Sequence, residues 1–187
     1  MRRLLILTAT LLLLAGCNDK KAATPDPKPS IDGVVTYTGL SQKHLAQGQS
    51  QTYPQSPPVG GPHAQAWMAC AVYATQVPNI NAVHSLEHGG VWITYLPGTK
   101  ADVISQLNAY QGSNKEYVMV SPYAGQDSPI IVTAWGAQLK LTDPADPRIL
   151  DFIRTYAGNG PEKPITCASS GYTLEQALQY DGPAAAS

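Results

Sequence analysis

The chain has 187 residues, of which 43% are hydrophobic and 13% are charged, with a formal net charge of −1. This length suits one folded domain with a tail, and the composition is that of a globular protein, which excludes a largely disordered chain. The near-neutral charge, with no basic run beyond the N-terminus, provides no electrostatic footprint for nucleic-acid binding.

The first 16 residues have the organisation of a bacterial lipoprotein signal peptide. Two arginines precede an apolar stretch, residues 4–15, which is too short to span a bilayer as a permanent helix. The stretch leads into Leu14-Ala15-Gly16-Cys17, which resembles a lipoprotein cleavage site. We therefore expect cleavage before Cys17 and diacylation at its thiol, with palmitate as the modification, because two acyl chains anchor a protein stably where one does not. An ordinary secretory signal followed by a chance cysteine is the alternative.

Residues 17–30 comprise the lipidated Cys17 and a polar, proline-containing tether without apolar periodicity. Such a segment is semi-extended and holds the following domain away from the membrane surface. The sequence thus predicts a protein of the cell envelope, anchored to a membrane through Cys17 and facing the periplasm or the cell exterior.

Residues 31–187 are predicted to form a single α+β domain. β-branched and aromatic runs indicate strands, and apolar positions at helical spacing indicate helices. Strands are expected at 33–37, 91–96, 117–120, 130–135 and 138–141, and residues 67–73 form either a strand or a buried turn. Helices are expected at 79–88, with its asparagines as caps, at 100–110, after Pro147, and at 174–180. This order predicts a small, mainly antiparallel sheet covered by two helices, with long irregular N-terminal and C-terminal segments and one disulfide.

Two cysteines remain once Cys17 is lipidated. Cys70 and Cys167 are an even pair in an oxidising compartment, so a disulfide is the simplest expectation. Cys70 as a thiolate ligand of a metal ion is the alternative.

The histidines indicate a metal site. All four lie in one quarter of the chain, and His84 and His88, at positions i and i+4, would share one face of a helix. Glu87, between them, is a candidate ligand, base or orienting partner. Imidazoles with a thioether favour copper, whereas three imidazoles with an open position suit zinc or copper. The predicted ligands are His44, His63, Met68, His84 and His88. Histidines that merely satisfy buried backbone groups are the alternative.

Residues 84–88 also match the H-x-x-E-H signature of inverted zinc peptidases, in which the glutamate activates water. A third, distant carboxylate ligand is needed there, and Glu162 and Glu175 are candidates. The signature requires a long helix, whereas Gly89-Gly90 and a predicted strand follow at once, so the context argues against a peptidase.

Several further pieces of sequence carry a family resemblance. They are His44, Tyr53, the run from Pro57 to His63, Trp67 with Cys70 and Tyr73, the run from Ala82 to Trp92, Ser121-Pro122-Tyr123, the run from Thr133 to Gly136, and Cys167. Together they resemble the bacterial domain of unknown function 3105 family of secreted, lipid-anchored or membrane-tethered proteins, over about residues 31–167. One departure is Ala71, where the family pattern has glycine. The resemblance implies that the four histidines form a shared site and that Cys70 bonds to Cys167.

The expected function is that of a lipid-anchored envelope protein whose histidine-rich site binds or handles copper or zinc without turnover. Two alternatives stay open. One is a metal-dependent hydrolase with Glu87 as general base. The other is an interaction module in which the histidines are structural and a tyrosine-rich surface binds a protein partner in the envelope.

Overall fold

The computed structural model describes residues 30–181. The signal peptide, the lipidated Cys17 and nearly all of the tether expected from the sequence lie outside these residues. Within this range, none of the helices has the length and apolar character needed to cross a bilayer. The elements in chain order are β1 (Val34–Thr36), α1 (Asn79–Glu87), β2 (Val91–Tyr95), α2 (Ala101–Ser113), β3 (Val118–Pro122), β4 (Ile130–Ala134), β5 (Ala137–Leu141), α3 (Pro147–Tyr156), α4 (Cys167–Ser170) and α5 (Leu174–Asp181).

The five strands form one sheet in the order β1-β5-β4-β2-β3. β2 and β3 are parallel and the other neighbours are antiparallel, so the predicted α+β fold with a mainly antiparallel sheet is confirmed. A parallel pair needs a crossover connection, which α2 supplies between β2 and β3. Residues 67–73 form isolated bridges only, such as the one between Val72 and Val120 at the edge of the sheet.

Both faces of the sheet are covered, because successive side chains of a strand point to opposite faces. Ile93 belongs to the apolar cluster that contains Leu107 of α2 and Phe152 of α3. Its neighbour Trp92 belongs to the opposite cluster, with Leu86 of α1. All five side chains are fully buried, and each contributes about 1.5–3 kcal/mol of transfer free energy. This packing fixes α1 on one face of the sheet.

The start of α1 differs from the prediction. The helix begins at Asn79 after Pro78, and no described side chain caps it, so the prediction of asparagine caps was wrong. The Asn79 side chain instead donates to the Tyr123 hydroxyl at 3.0 Å, and Asn81 Nδ2 donates to the Ala66 carbonyl at 2.7 Å. These asparagines therefore tie α1 to neighbouring chain. The helix ends at Glu87, one residue earlier than predicted, with His88 as its C-terminal cap, and the predicted glycine, Gly89, follows with a φ of +90°.

Cys70 and Cys167 form a disulfide, with their Cα atoms 5.0 Å apart. The Cys70 N–H also donates to the Cys167 carbonyl at 3.2 Å. The predicted disulfide is confirmed, and Cys70 is therefore not a thiolate ligand. The bond fastens the chain before α1 to the segment that follows α3.

Candidate metal centre

Helix α1 presents two imidazoles to the same place. His84 and His88 are one helical turn apart, and their rings stack with centroids 4.9 Å apart. Their Nε2 atoms lie 3.0 Å from each other. Both residues are buried, at 4% and 6% exposure, so the pair faces protein and not bulk solvent.

A stiff loop before α1 adds two more imidazoles. His63 and His44 form a parallel bridge, in which the His63 N–H donates to the Lys43 carbonyl at 3.0 Å. The ring centroids of His44, His63 and His84 form a nearly equilateral triangle with sides of 4.7, 4.8 and 4.8 Å. His63 is fully buried, whereas His44 is exposed and closes the group on its solvent side.

The last turn of α1 places a carboxylate beside this triangle. Glu87 Oε2 lies 2.9 Å from His63 Nε2, and both side chains are completely buried. Ligand atoms of His44, His63, His84 and Glu87 all lie within 4.8 Å of one another. Across the part of the chain that the structure describes, neither Glu87 oxygen nor His63 Nε2 has a well-oriented hydrogen-bond partner, despite the short distance between them. A buried carboxylate in this position is costly unless a cation compensates it.

The backbone fixes which nitrogen of each buried ring is free. The Nδ1 atoms of His63, His84 and His88 each lie beside a backbone carbonyl. The acceptors are the oxygens of Gly61, Ala64 and Lys163, at 2.8, 2.7 and 3.0 Å respectively. Because a carbonyl only accepts, each Nδ1 carries a hydrogen, and in the neutral form of the ring Nε2 presents a lone pair. Metal-binding histidines are typically oriented by such a hydrogen bond from the other ring nitrogen.

The surroundings keep His84 neutral. Burial, followed by the neighbouring imidazoles of His63 and His88, lowers the pKa of His84 from 6.5 to about 3. A hydrogen bond to the Ala64 carbonyl opposes this shift in part. The neutral imidazole is the form that binds a metal ion, so His84 is ready to act as a ligand near neutral pH.

A second group of ligands adjoins the first at the end of α1. The segment after α3 packs there through hydrogen bonds from the Gly158 N–H to the Gly89 carbonyl (2.9 Å) and from the Glu162 N–H to the Glu87 carbonyl (3.3 Å). This brings Glu162 Oε2 to 3.9 Å from His88 Nε2. Ligand atoms of Glu87, His88 and Glu162 lie within 4.8 Å of one another.

The structure thus brings His44, His63 and His84 together with Glu87, and places His88 beside them with Glu162. Met68 lies in a different environment, since it is fully buried in the apolar cluster of Trp92 and Leu86 and has the surroundings of a core residue.

Trp67 is a neighbour that the site prediction missed. Its ring centroid is 5.2 Å from that of His84 and 5.5 Å from that of His88. The presence of Trp67 among the family motifs was the only feature of the sequence that could have indicated this position. The indole covers one side of the His84–His88 pair, which keeps water from the imidazoles there.

An open cavity of about 730 Å³ lies elsewhere, lined by residues 48–51 and 76–80. None of these nine described residues is titratable, and none belongs to the histidine groups. The lining of this cavity therefore provides no acid, base or charged ligand.

The fold and the site define a disulfide-bonded α+β domain with a buried histidine–glutamate centre. A family model described as "Protein of unknown function (DUF3105)" matches residues 44–169, and the chain belongs to this family. The matched range contains all four histidines, both carboxylates of the centre and both disulfide cysteines. The comparison with curated proteins found no significant match, nor did the comparison with solved structures.

Proposed function

We propose that this chain is a lipid-anchored protein of the cell envelope that binds or handles copper or zinc. The ion is held by His44, His63, His84 and Glu87, with His88 directly adjacent. We refer to the four residues as the primary site.

The observation that carries the proposal is that imidazole nitrogens face one another and a carboxylate oxygen in a buried space. His84 Nε2 faces His88 Nε2 at 3.0 Å, and His63 Nε2 faces Glu87 Oε2 at 2.9 Å. When the rings are neutral and Glu87 is ionised, the hydrogens lie on Nδ1 and none of these four atoms has a hydrogen to donate. Such contacts are repulsive unless a proton or a cation lies among them. A metal ion accepts electron pairs from several ligands at once, which favours a metal site over purely structural histidines.

The ligand types favour borderline ions. Three imidazole nitrogens and a carboxylate oxygen suit zinc, and also copper in its divalent state. The primary site itself contains no sulfur ligand, and Met68 lies in the apolar core. This set therefore does not select monovalent copper through a thioether.

The position of Glu87 favours binding over turnover. A general base must reach a water molecule or a substrate, yet Glu87 is fully buried, and its oxygen lies within 4.8 Å of nitrogens of three imidazoles. Its carboxylate is placed to bond an ion directly. Metal binding or transfer therefore agrees better with the geometry than metal-dependent hydrolysis does.

The cellular location rests on residues 1–17, whose pattern is that of a lipoprotein signal with an acylated Cys17. The Cys70–Cys167 disulfide supports an oxidising compartment. Labelled palmitate should be incorporated into the full chain and not into Cys17→Ser. Equal labelling of both would contradict the anchor without affecting the metal site.

Metal content tests the function. The full chain, extracted in detergent, is loaded with Zn(II) or Cu(II), desalted, and measured by elemental mass spectrometry. We expect bound metal in the parent protein and weaker retention in His44→Ala. Lys43→Ala, an exposed neighbour of the same loop, serves as the control and retains the ion. Folded protein that holds neither ion after loading would make the proposal wrong and the histidines structural.

A further inference from the structure

Two groups of ligand atoms meet at one residue. The first is the primary site, and the second consists of Glu87, His88 and Glu162. Glu87 is the residue they share. The groups also touch at their imidazoles, because His84 Nε2 of the first lies 3.0 Å from His88 Nε2 of the second.

The shared carboxylate has spare bonding capacity. Both oxygens of Glu87 are buried, and within residues 30–181 neither has a well-oriented hydrogen-bond partner. A carboxylate offers two oxygens with about four lone-pair positions. One ion in the primary site does not use this capacity fully, so Glu87 can bond a second ion on its other side.

The remaining two ligands of the second group are held in place. His88 is 6% exposed, and its Nδ1 donates to the Lys163 carbonyl at 3.0 Å, which holds the ring with Nε2 3.9 Å from Glu162 Oε2. The Glu162 backbone is fastened to the end of α1 through the Glu87 carbonyl. The Glu162 side chain is 43% exposed, so this group has access to solvent.

On the basis of the proposed metal site, we infer that the centre is dinuclear. One ion occupies the primary site, a second ion is bound by His88 and Glu162, and Glu87 bridges the two. The second position has fewer protein ligands and a solvent-exposed carboxylate, so it binds its ion more weakly and takes its remaining ligands from water.

Zinc titration of the metal-free full chain in detergent tests this inference. We expect two equivalents, with the second bound more weakly. Glu162→Gln should retain the first equivalent, and its affinity for the second should be at least about 10-fold weaker. This is the lower end of the loss in affinity seen when a residue that supports a metal ligand is removed. Glu175→Gln, an exposed carboxylate on α5, is the matched control and should retain both equivalents.

X-ray absorption at the zinc edge tests the bridge separately. The protein with both equivalents bound should show a metal–metal vector of about 3.5–4 Å, the spacing typical of two-metal sites. The vector should be absent from Glu162→Gln that holds one equivalent.

The outcomes separate this inference from the proposed function. The second position is overturned if the parent protein binds a single zinc equivalent and Glu162→Gln binds it equally well. That result is consistent with the primary site. Two equivalents that survive Glu162→Gln would also overturn it, because the second ion then binds elsewhere. Loss of both ions in folded Glu162→Gln contradicts the assignment of separate ligand sets. Absence of any bound zinc or copper would overturn the proposed function and the dinuclear centre together.

Discussion

His84 and His88 point their Nε2 atoms at each other across 3.0 Å while the Nδ1 atom of each ring donates to a backbone carbonyl. Protonation of His84 Nε2 would put a positive charge into a buried space shared with His63 and His88. Burial and the neighbouring imidazoles accordingly lower the pKa of His84 to about 3. In the absence of metal, the folded protein therefore resists a proton that the unfolded chain accepts.

The metal-free protein should lose stability on mild acidification. The unfolded chain protonates His84 as the pH falls through about 6.5, whereas the folded chain resists until about pH 3. This contribution is fully present above the unfolded pKa and is lost progressively below it. When the pH falls from about 7.5 to about 5, the free energy of unfolding should decrease in both proteins. The decrease should be about 1–2 kcal/mol smaller in His84→Gln than in the parent protein. Denaturant unfolding after chelation measures this, and parallel pH curves for the two proteins would contradict it.

Gly160→Ala should destabilise the domain and disturb the second ligand group. A Cβ at position 160 would contact the Glu87 carbonyl oxygen and the Gly89 nitrogen, and neither backbone atom can move aside freely. Overpacking of this kind costs about 1–3 kcal/mol. Gly112→Ala in α2 is the matched control, because its Cβ meets nothing within 4 Å and alanine stabilises a helix by about 0.5–1 kcal/mol. The two substitutions should shift the thermal midpoint in opposite directions; a shift in the same direction would refute this reading of the packing.

Loss of the disulfide should be strongly destabilising. Cys70 and Cys167 are 97 positions apart, and closing a loop of that length stabilises a fold by about 4–5 kcal/mol in the chain-entropy model. We expect Cys70→Ser/Cys167→Ser to unfold at much lower urea than its parent, with both proteins in a Cys17→Ser background so that no other thiol can pair. Coincident unfolding curves would show that the bond contributes little.

Asp146 should stabilise α3 in a pH-dependent way. Its carboxylate accepts from the Arg148 N–H at 2.9 Å and from Arg148 Nη2 at 2.7 Å, which lowers the pKa of Asp146 below its usual 3.8. The stabilisation is therefore present above pH 3.8 and is lost as the pH falls through the lowered pKa. Asp146→Ala should cost about 1 kcal/mol at neutral pH, whereas Asp146→Asn retains the cap and loses the pH dependence. Urea unfolding at neutral and acidic pH measures both, and an Asp146→Ala protein as stable as its parent would rule out the cap.

Local patterns were sufficient for most of the fold. The run from Val91 to Tyr95 is β-branched or aromatic at every position and buried throughout because both faces of the central strand are covered, and such runs are recognisable in sequence. The spacing of His84 and His88 likewise predicts a shared face, since the geometry of one helical turn depends only on neighbouring residues.

The rest of the site depends on contacts between distant parts of the chain. Glu162 approaches His88 because the segment after α3 packs against the end of α1, and the tight fit at Gly160 has no local signature. Met68 stands close to His63 in sequence, yet its side chain faces the apolar core, which spacing alone does not determine. The parallel pairing of β2 with β3 is a further property of topology and not of either strand.

The ligands of the centre come from three separate stretches of chain, at 44–63, 84–88 and 162. In a partly folded chain, therefore, only His84 and His88 among the four histidines are close enough in sequence to contact the same ion. In the proposed dinuclear centre the second position is complete only when the last stretch has docked, and the disulfide that fastens the residues after it is itself an oxidation product. If the centre binds metal as proposed, the second ion would be loaded in the final step of maturation, and the ions present where the protein finishes folding would decide which one it carries.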